Sequence, residues 1–189
     1  MHRTPLTSRP LDLIYFSFFV THIVASVFVD FQTLYPQHLV PAFLRKFVAW
    51  YITQSNDPFL KAAHGQGEPM VWFNSFLFIE AAFQFPTFFV AARALWNDSK
   101  RSYILLLVYA ASTATTVWPC LATIIATPAP STDALARGVA TLAPQERAML
   151  LSSYVPFFLI PLIMTLDMSF RIYGLVNDAL EVREIEKIK

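Results

Sequence analysis

Four long stretches of apolar residues alternate with shorter polar segments along the chain. They cover about residues 11–29, 72–92, 103–126 and 149–170. Each is long enough to cross the hydrocarbon core of a bilayer, which needs roughly 20 helical residues. The first stretch contains Asp12 and His22 and lacks a small-residue cleavage site, so we interpret it as a retained span. The pattern predicts an all-α membrane protein with four transmembrane helices.

The long connection between the first two spans has a helical pattern of its own. Leu44, Phe47, Val48 and Tyr51 recur at helical spacing after a proline. This spacing predicts a short amphipathic helix in the first loop, lying over one mouth of the bundle. The nearby Asn-Asp-Pro sequence favours Asp57 as a helix-capping, structural carboxylate.

Each of the last three spans contains proline, which removes a backbone donor and bends a helix. The prolines are Pro86, Pro119, Pro156 and Pro161. A second connection, residues 127–141, is rich in Ala, Pro, Ser and Thr and is interpreted as a loop, after which Pro144 restarts a helix. The prediction is therefore one domain, residues 1–189, built from four kinked spans.

Composition supports the membrane assignment and excludes several functions. Of the 189 residues, 56% are hydrophobic and 14% charged, which is too apolar for an ordinary soluble domain. The net charge of +1 and the lack of nucleotide or zinc patterns leave no support for nucleic-acid binding or for phosphate cofactors. The single cysteine, Cys120, excludes an internal disulfide and a cysteine metal cluster. We expect no metal and no cofactor.

The distribution of basic residues predicts the orientation. With four spans both termini share a side, and that side holds nine basic residues against five on the other. The nine are Arg3, Arg9, Arg93, Lys100, Arg101, Arg171, Arg183, Lys187 and Lys189. Because cytosolic segments carry the excess of Lys and Arg, we expect cytosolic termini.

Ionisable side chains at membrane depth are functional candidates because they are costly unless paired or facing a cavity. His22 and Glu80 each lie eight residues inward from the non-cytosolic face, about 12 Å at the helical rise. Thr116, Tyr154 and Phe157 reach a similar depth on the last two spans. All four helices thus contribute polar or aromatic groups to one half of the membrane.

Helical spacing aligns these groups. His22, Ser26 and Asp30 share one face of the first span, and Glu80 and Gln84 share a face of the second, with Phe76 one turn away. If the two faces meet, two carboxyl groups share one low-dielectric pocket, and we expect a proton shared between them. A ligand ammonium could then pair with the carboxylate that stays charged.

Structural interpretations of the same residues remain open. Asp30 falls at a helix end, where solvation or capping accounts equally well for it, and His22 could hydrogen bond a backbone carbonyl. Glu80 could be held in structural pairing alone. Asp167, four residues before Arg171, is expected to form an interfacial ion pair.

At these residues the sequence resembles the sigma-2 receptor branch of the EXPERA family, which also contains emopamil-binding sterol isomerase. The matching strings run in order through nearly the whole chain. They are Thr21-His22-Ile23, Val29-Asp30-Phe31-Gln32, Trp50-Tyr51, Asp57-Pro58, Trp72-Phe73, Ser75-Phe76-Leu77-Phe78, Glu80, Phe83-Gln84-Phe85-Pro86, Thr115-Thr116, Pro119, Tyr154-Val155-Pro156 and Leu159-Ile160-Pro161.

The resemblance implies a pocket that opens laterally to the membrane and binds sterols or cationic amphiphiles, in an endoplasmic reticulum homodimer with a role in cholesterol handling. Asp30 then resembles the partner of a ligand amine, Glu80 its protonated neighbour and Asp57 a structural carboxylate. The implied pocket walls are Gln84, Thr116 and residues 154–157. The family often has Tyr at the position of Phe157, and its tail is more densely basic.

Two functions compete. The leading hypothesis is a non-enzymatic receptor for a sterol or an amphipathic amine. The alternative is a sterol double-bond isomerase, because a buried Asp/Glu pair with a nearby His could supply an acid and a base. A lipid-scrambling or transport role lacks the internal repeats that would favour it.

Overall fold

The computed structural model describes residues 4–188, except the side chains at positions 37, 135 and 188. Arg3 and Lys189, which enter the count of basic residues, lie outside the described residues. Eight α-helices form the described part of the chain. They are α1 (Pro10–Phe28), α2 (Ala42–Ser55), α3 (Pro58–Ala63), α4 (Val71–Ile79), α5 (Phe85–Trp96), α6 (Tyr103–Ala126), α7 (Thr132–Ala136) and α8 (Pro144–Ile188).

Four helical segments are long and apolar enough to cross a membrane, as the sequence predicts. They are Pro10–Thr33, Val71–Trp96, Lys100–Ala126 and Pro144–Lys187. The first includes a 3₁₀ turn, Asp30–Thr33, after α1. In the second, α4 and α5 are joined by one π-helical segment, Glu80–Gln84. The all-α, four-span prediction is confirmed, and the chain is a multi-pass membrane protein.

The fourth span is part of a helix much longer than the predicted apolar stretch. α8 begins at Pro144, where Glu146 accepts from the backbone N–H of Ala143 at 2.7 Å and so caps the helix. It continues to Ile188 because the polar tail is rich in strong helix formers and has no proline.

The connection between α6 and α8, predicted as a loop over residues 127–141, contains the short helix α7.

The helices pack in pairs around an apolar core that separates the two ends of the bundle. α6 packs along α8, and α1 packs along α5. Large apolar side chains fill the middle of the bundle between them, and we refer to this cluster as the aromatic core. Its buried members are Tyr15, Phe18, Phe19, Phe88, Ala91, Leu95, Leu106, Tyr109, Ala110, Met164 and Met168. The end that holds α2 and α3 is the α2 end, and the opposite end is the terminal end.

The helix predicted in the first loop is present, and of the predicted stripe Val48 is buried, Leu44 and Tyr51 are half-buried and Phe47 is exposed. In α2, Val48 and Ile52 are 2% and 4% exposed and pack with Leu60 of α3. Phe47, which the spacing places on the buried face, is 45% exposed. The packing partner decides this difference, since α3 covers the Val48–Ile52 side and leaves Phe47 at the rim of the bundle.

Charged side chains join the helices at the terminal end. Asp12 pairs with Arg9 one turn before it and with Arg171 of α8, whose Nη1 lies 2.7 Å from Asp12 Oδ1. Arg171 Nη2 also lies 2.8 Å from Asp167 Oδ2, which confirms the predicted pair. Arg9 Nη2 donates to the carbonyl of Leu95 at 2.7 Å, so the cluster connects α1, α5 and α8.

Candidate functional site

A cavity of about 300 Å³ lies at the α2 end, surrounded by all four spans and α2. Ligand pockets in proteins typically begin at about this volume. The structure brings together here all eight side chains that the sequence predicts for ligand binding. They are His22, Asp30, Phe76, Glu80, Gln84, Thr116, Tyr154 and Phe157. Asp57, predicted to be structural, does not line the cavity.

The π-helical segment places Glu80 and Gln84 in the cavity wall. The backbone N–H of Phe85 bonds to the carbonyl of Glu80, five residues earlier, which is the π-helical spacing. Pro86 follows directly and has no N–H to continue the α-helical ladder. The wider turn ahead of the proline therefore carries both polar side chains, and Gln84 Nε2 donates to Ser112 Oγ at 3.3 Å.

Two neighbouring side chains of α1 contact the Glu80 carboxyl group. Ser26 Oγ donates to Glu80 Oε1 at 2.5 Å, and His22 Nε2 lies 3.7 Å from the same oxygen. The other ring nitrogen of His22 lies 3.3 Å from the hydroxyl of Tyr109. His22 is also stacked on Phe88, with the ring centroids 4.5 Å apart. Glu80 is thus hydrogen bonded to Ser26 of α1, and the His22 ring lies between its carboxyl group and Tyr109 of α6.

Asp30 lines the same cavity with much less support. It begins the 3₁₀ turn that follows α1, next to Val29, which also faces the cavity. No cationic side chain within residues 4–188 forms an ion pair with it. The two predicted carboxyl groups therefore share one cavity, as the helical faces suggest, and Asp30 has no ion-pair partner among the described residues.

Asp57 lies outside the cavity and holds one of the side chains of its wall. Its Oδ1 accepts from the backbone N–H groups of Phe59 and Leu60, at 2.8 and 3.0 Å, and caps α3. Its Oδ2 accepts from the hydroxyl of Tyr154 at 3.0 Å. Burial raises the pKa of Asp57 above its ordinary value, and these hydrogen bonds oppose the rise. Through Tyr154, Asp57 fixes one cavity wall without reaching the cavity itself.

The remaining walls are mostly apolar. Phe73 and Leu77 of α4 face Cys120 of α6, and they belong to one packed cluster. From α2, Phe47 and Tyr51 line the rim. Burial raises the pKa of Tyr51, so its hydroxyl stays neutral at physiological pH.

Sequence reasoning did not assign several of the cavity residues. They are Ala25, Val29, Phe47, Tyr51, Phe73, Leu77, Thr113, Val117, Cys120 and Ser153. Some had a usable signal, since Thr113 precedes Thr116 by one helical turn, as Phe73 precedes Phe76. Ser153 has the same signal, because it precedes Phe157 by one helical turn.

Comparison with known proteins agrees with this architecture. Residues 43–168 match the model of EXPERA, the EXPanded EBP superfamily. Sigma intracellular receptor 2 of Xenopus tropicalis is 34% identical over 164 residues, covering 86% of this chain and 90% of the relative. The Homo sapiens protein of that name is 33% identical over 165 residues, covering 87% and 90%.

A more distant relative carries a different name. Efficient mitochondria targeting-associated protein 19 of Schizosaccharomyces pombe is 25% identical over 177 residues, covering 91% of this chain and 82% of the relative. The family model and the two receptor relatives together confirm the resemblance on which the sequence prediction rests. The chain belongs to the EXPERA family and is similar to its sigma-2 receptor branch.

Proposed function

We propose that the chain is a membrane-embedded receptor whose cavity binds a sterol or a cationic amphipathic ligand. The observation that carries the proposal is Asp30, whose carboxyl group lies in a largely apolar cavity and forms no ion pair within the described part of the chain. A charged group in a low-dielectric, apolar cavity is costly unless it is paired. A ligand ammonium provides that pair, and the aromatic walls accommodate the apolar body of the ligand.

A neutral sterol uses the same space differently. Its rigid ring system packs against the walls formed by Phe73, Phe76 and Leu77, while its single hydroxyl requires one hydrogen-bonding partner. Gln84 and Glu80 offer such partners in the same wall. The apolar area therefore supplies most of the affinity for a sterol, whereas the charge of Asp30 contributes mainly to the affinity for an amine.

We also propose where the chain acts and in what form. It lies in the endoplasmic reticulum membrane with cytosolic termini, as a homodimer that takes part in cholesterol or lipid homeostasis. The word "intracellular" in the name of the relatives and the excess of basic residues at the terminal end support the location.

Replacing Asp30 tests the binding mode. Asp30→Asn keeps the shape of the side chain and removes its charge, so binding of a cationic amphiphile should weaken at least about tenfold. Binding of cholesterol should change less than about threefold. Both affinities are measured on the purified full-length chain in lipid nanodiscs.

Asp133→Asn is the matched control, because Asp133 is an exposed aspartate of α7 that pairs with Arg137 and does not line the cavity. It should leave both affinities unchanged. An equal loss of amine and sterol binding in Asp30→Asn would contradict the proposal and indicate disturbed folding, which thermal unfolding of the variant would reveal.

An isomerase activity is the second candidate, favoured by the contacts of Glu80. A carboxyl group with a hydroxyl donor at 2.5 Å and an imidazole at 3.7 Å can both give and take a proton. Incubation of the purified chain with a sterol that carries the ring double bond, followed by product analysis, separates the candidates. Conversion that is lost in Glu80→Gln would establish catalysis, while binding without conversion would support the receptor.

A further inference from the structure

A second groove lies at the terminal end, far from the cavity, between the start of α6 and the last third of α8. Its floor is apolar and its rim is basic. The lining residues are Lys100, Arg101, Tyr103, Ile104, Ile172, Leu175, Val176, Ala179, Leu180 and Arg183. Three of these ten are cations and none is acidic.

The part of α8 that lines the groove carries a cation and no carboxylate. Ile172, Val176, Ala179 and Arg183 recur at helical spacing on the groove side. Asp178, Glu181 and Glu184 lie away from that side, and Glu186, about one turn beyond Arg183, does not line the groove. Within residues 4–188, no carboxylate pairs with Lys100, Arg101 or Arg183. The three cations are therefore available to an external anion.

The groove also has a polarity along its length. Ile104 and Ile172 lie at the end nearest the membrane-spanning part of α6 and α8, while Arg183 lies three helical turns farther out. An occupant that matches this order has an apolar part toward the bilayer and an anionic part away from it. Val176 and Leu180 are 50% and 52% exposed, so the apolar floor is accessible to such an occupant.

We propose that this groove binds an anionic phospholipid, with its acyl chains against Ile104 and Ile172 and its phosphate groups held by Lys100, Arg101 and Arg183. Basic pockets between helices at a membrane surface select charged headgroups in this way. The groove is separate from the cavity, so the proposal does not depend on which ligand the cavity takes.

Native mass spectrometry of the purified full-length chain, titrated with phosphatidylinositol 4-phosphate or with phosphatidylcholine, tests the proposal. We expect the anionic lipid to bind at least about tenfold more tightly than the zwitterionic one. In the triple variant Lys100→Gln, Arg101→Gln, Arg183→Gln this preference should be lost. The deacylated headgroup, glycerophosphoinositol 4-phosphate, should compete only weakly, because it has no chains to cover the apolar floor.

The control variant removes three exposed cations elsewhere, by Lys46→Gln, Arg93→Gln and Arg137→Gln, and should keep the preference. An equal loss in the control would overturn the proposal, since it would show diffuse attraction by net charge. Unchanged lipid binding with a loss of dimer in the groove variant would also overturn it and assign the groove to a second copy.

A single added charge gives an independent test. Ala179→Glu places a carboxylate inside the groove, while Asn177→Glu adds the same charge to the same helix outside it. The first should weaken binding of the anionic lipid about tenfold or more, and the second less than about twofold. Ligand binding in the cavity should be the same in both, which keeps this proposal distinguishable from the proposed receptor function.

Discussion

At the scale of single residues, the two carboxyl groups of the cavity differ in what surrounds them. Glu80 has a serine hydroxyl and a histidine ring beside it, whereas no cation in the part of the chain that the structure describes pairs with Asp30. The hydrogen-bonded member is suited to keep the helices in register and to hold a proton. The other is suited to pair with a charged ligand. The same functional group, a carboxyl, thus serves different purposes, depending on its neighbours.

Asp57 provides a test at this scale. Asp57→Ala removes the cap of α3 and leaves the hydroxyl of Tyr154 without its partner, so the free energy of unfolding should fall by about 1–3 kcal/mol. Asp57→Asn is the matched variant, because its amide oxygen still caps the helix and its nitrogen can still meet Tyr154, and it should lose less than half as much. Denaturant unfolding of the detergent-solubilised chain measures both. Equal losses would contradict the assignment of Asp57 as a capping residue.

At the scale of elements, the π-helical segment before Pro86 decides what the second span presents to the cavity. An uninterrupted α-helix would rotate the residues after the segment, because each residue turns an α-helix by about 100° and the π-helix contains one extra. The sequence predicts a kink at Pro86 and a shared face for Glu80 and Gln84, but not the π-helical spacing. No residue pattern signals that spacing, since it depends on the neighbouring helices.

Pro86→Ala tests this element. The new N–H allows a regular α-helix, so the amine affinity should fall about tenfold as Glu80 and Gln84 move, while thermal stability stays equal or rises because proline is costly inside a helix. Pro161→Ala is the control, since that proline lies inside the α-helix α8 and does not follow a π-helical segment. Its amine affinity should stay within about twofold of the wild type. A similar change in both variants would argue against a special role for the π-helical segment.

At the scale of the whole molecule, the two ends of the bundle have different chemistry. The α2 end holds the cavity, and the terminal end holds the ion pairs of Asp12, Arg9 and Arg171. The sequence predicts the four spans because length and hydropathy are local properties, and it predicts the depth of His22 and Glu80 because the helical rise is fixed. The contacts of Asp12 with α8 and of Ser26 with Glu80 could not be predicted, since they depend on which helices become neighbours.

The ion pairs allow a stability prediction. Arg171→Met should lower the free energy of unfolding by about 3 kcal/mol, because it leaves Asp12, whose side chain is 3% exposed, without one of its cations. Arg137→Met breaks a pair of the same type whose side chains are 67% and 75% exposed, and the change should stay below about 0.5 kcal/mol. Thermal unfolding of both variants in the same detergent gives the comparison. Similar values would show that the cluster at the terminal end contributes no more than a surface pair.

The proposed orientation can be tested with added cysteines. Cys120 is buried at 4% exposure, so it should give little background labelling. In sealed microsomes, a membrane-impermeant maleimide should label Glu184→Cys in the tail at once and Ala129→Cys in the second connection only after detergent. The reverse order would place the termini in the lumen.

The aromatic core has a consequence for the bilayer that surrounds it. Along α1, Asp12 and His22 are separated by about 15 Å of helix. In that interval Tyr15 and Phe19, which are 1% and 0% exposed, pack with Phe88 and Leu106 of the facing helices. Such a layer acts as an electrical insulator, because neither water nor an ion can cross it without losing its hydration. The chain can therefore hold ionisable groups in both leaflets without forming a path along which protons or ions cross the membrane.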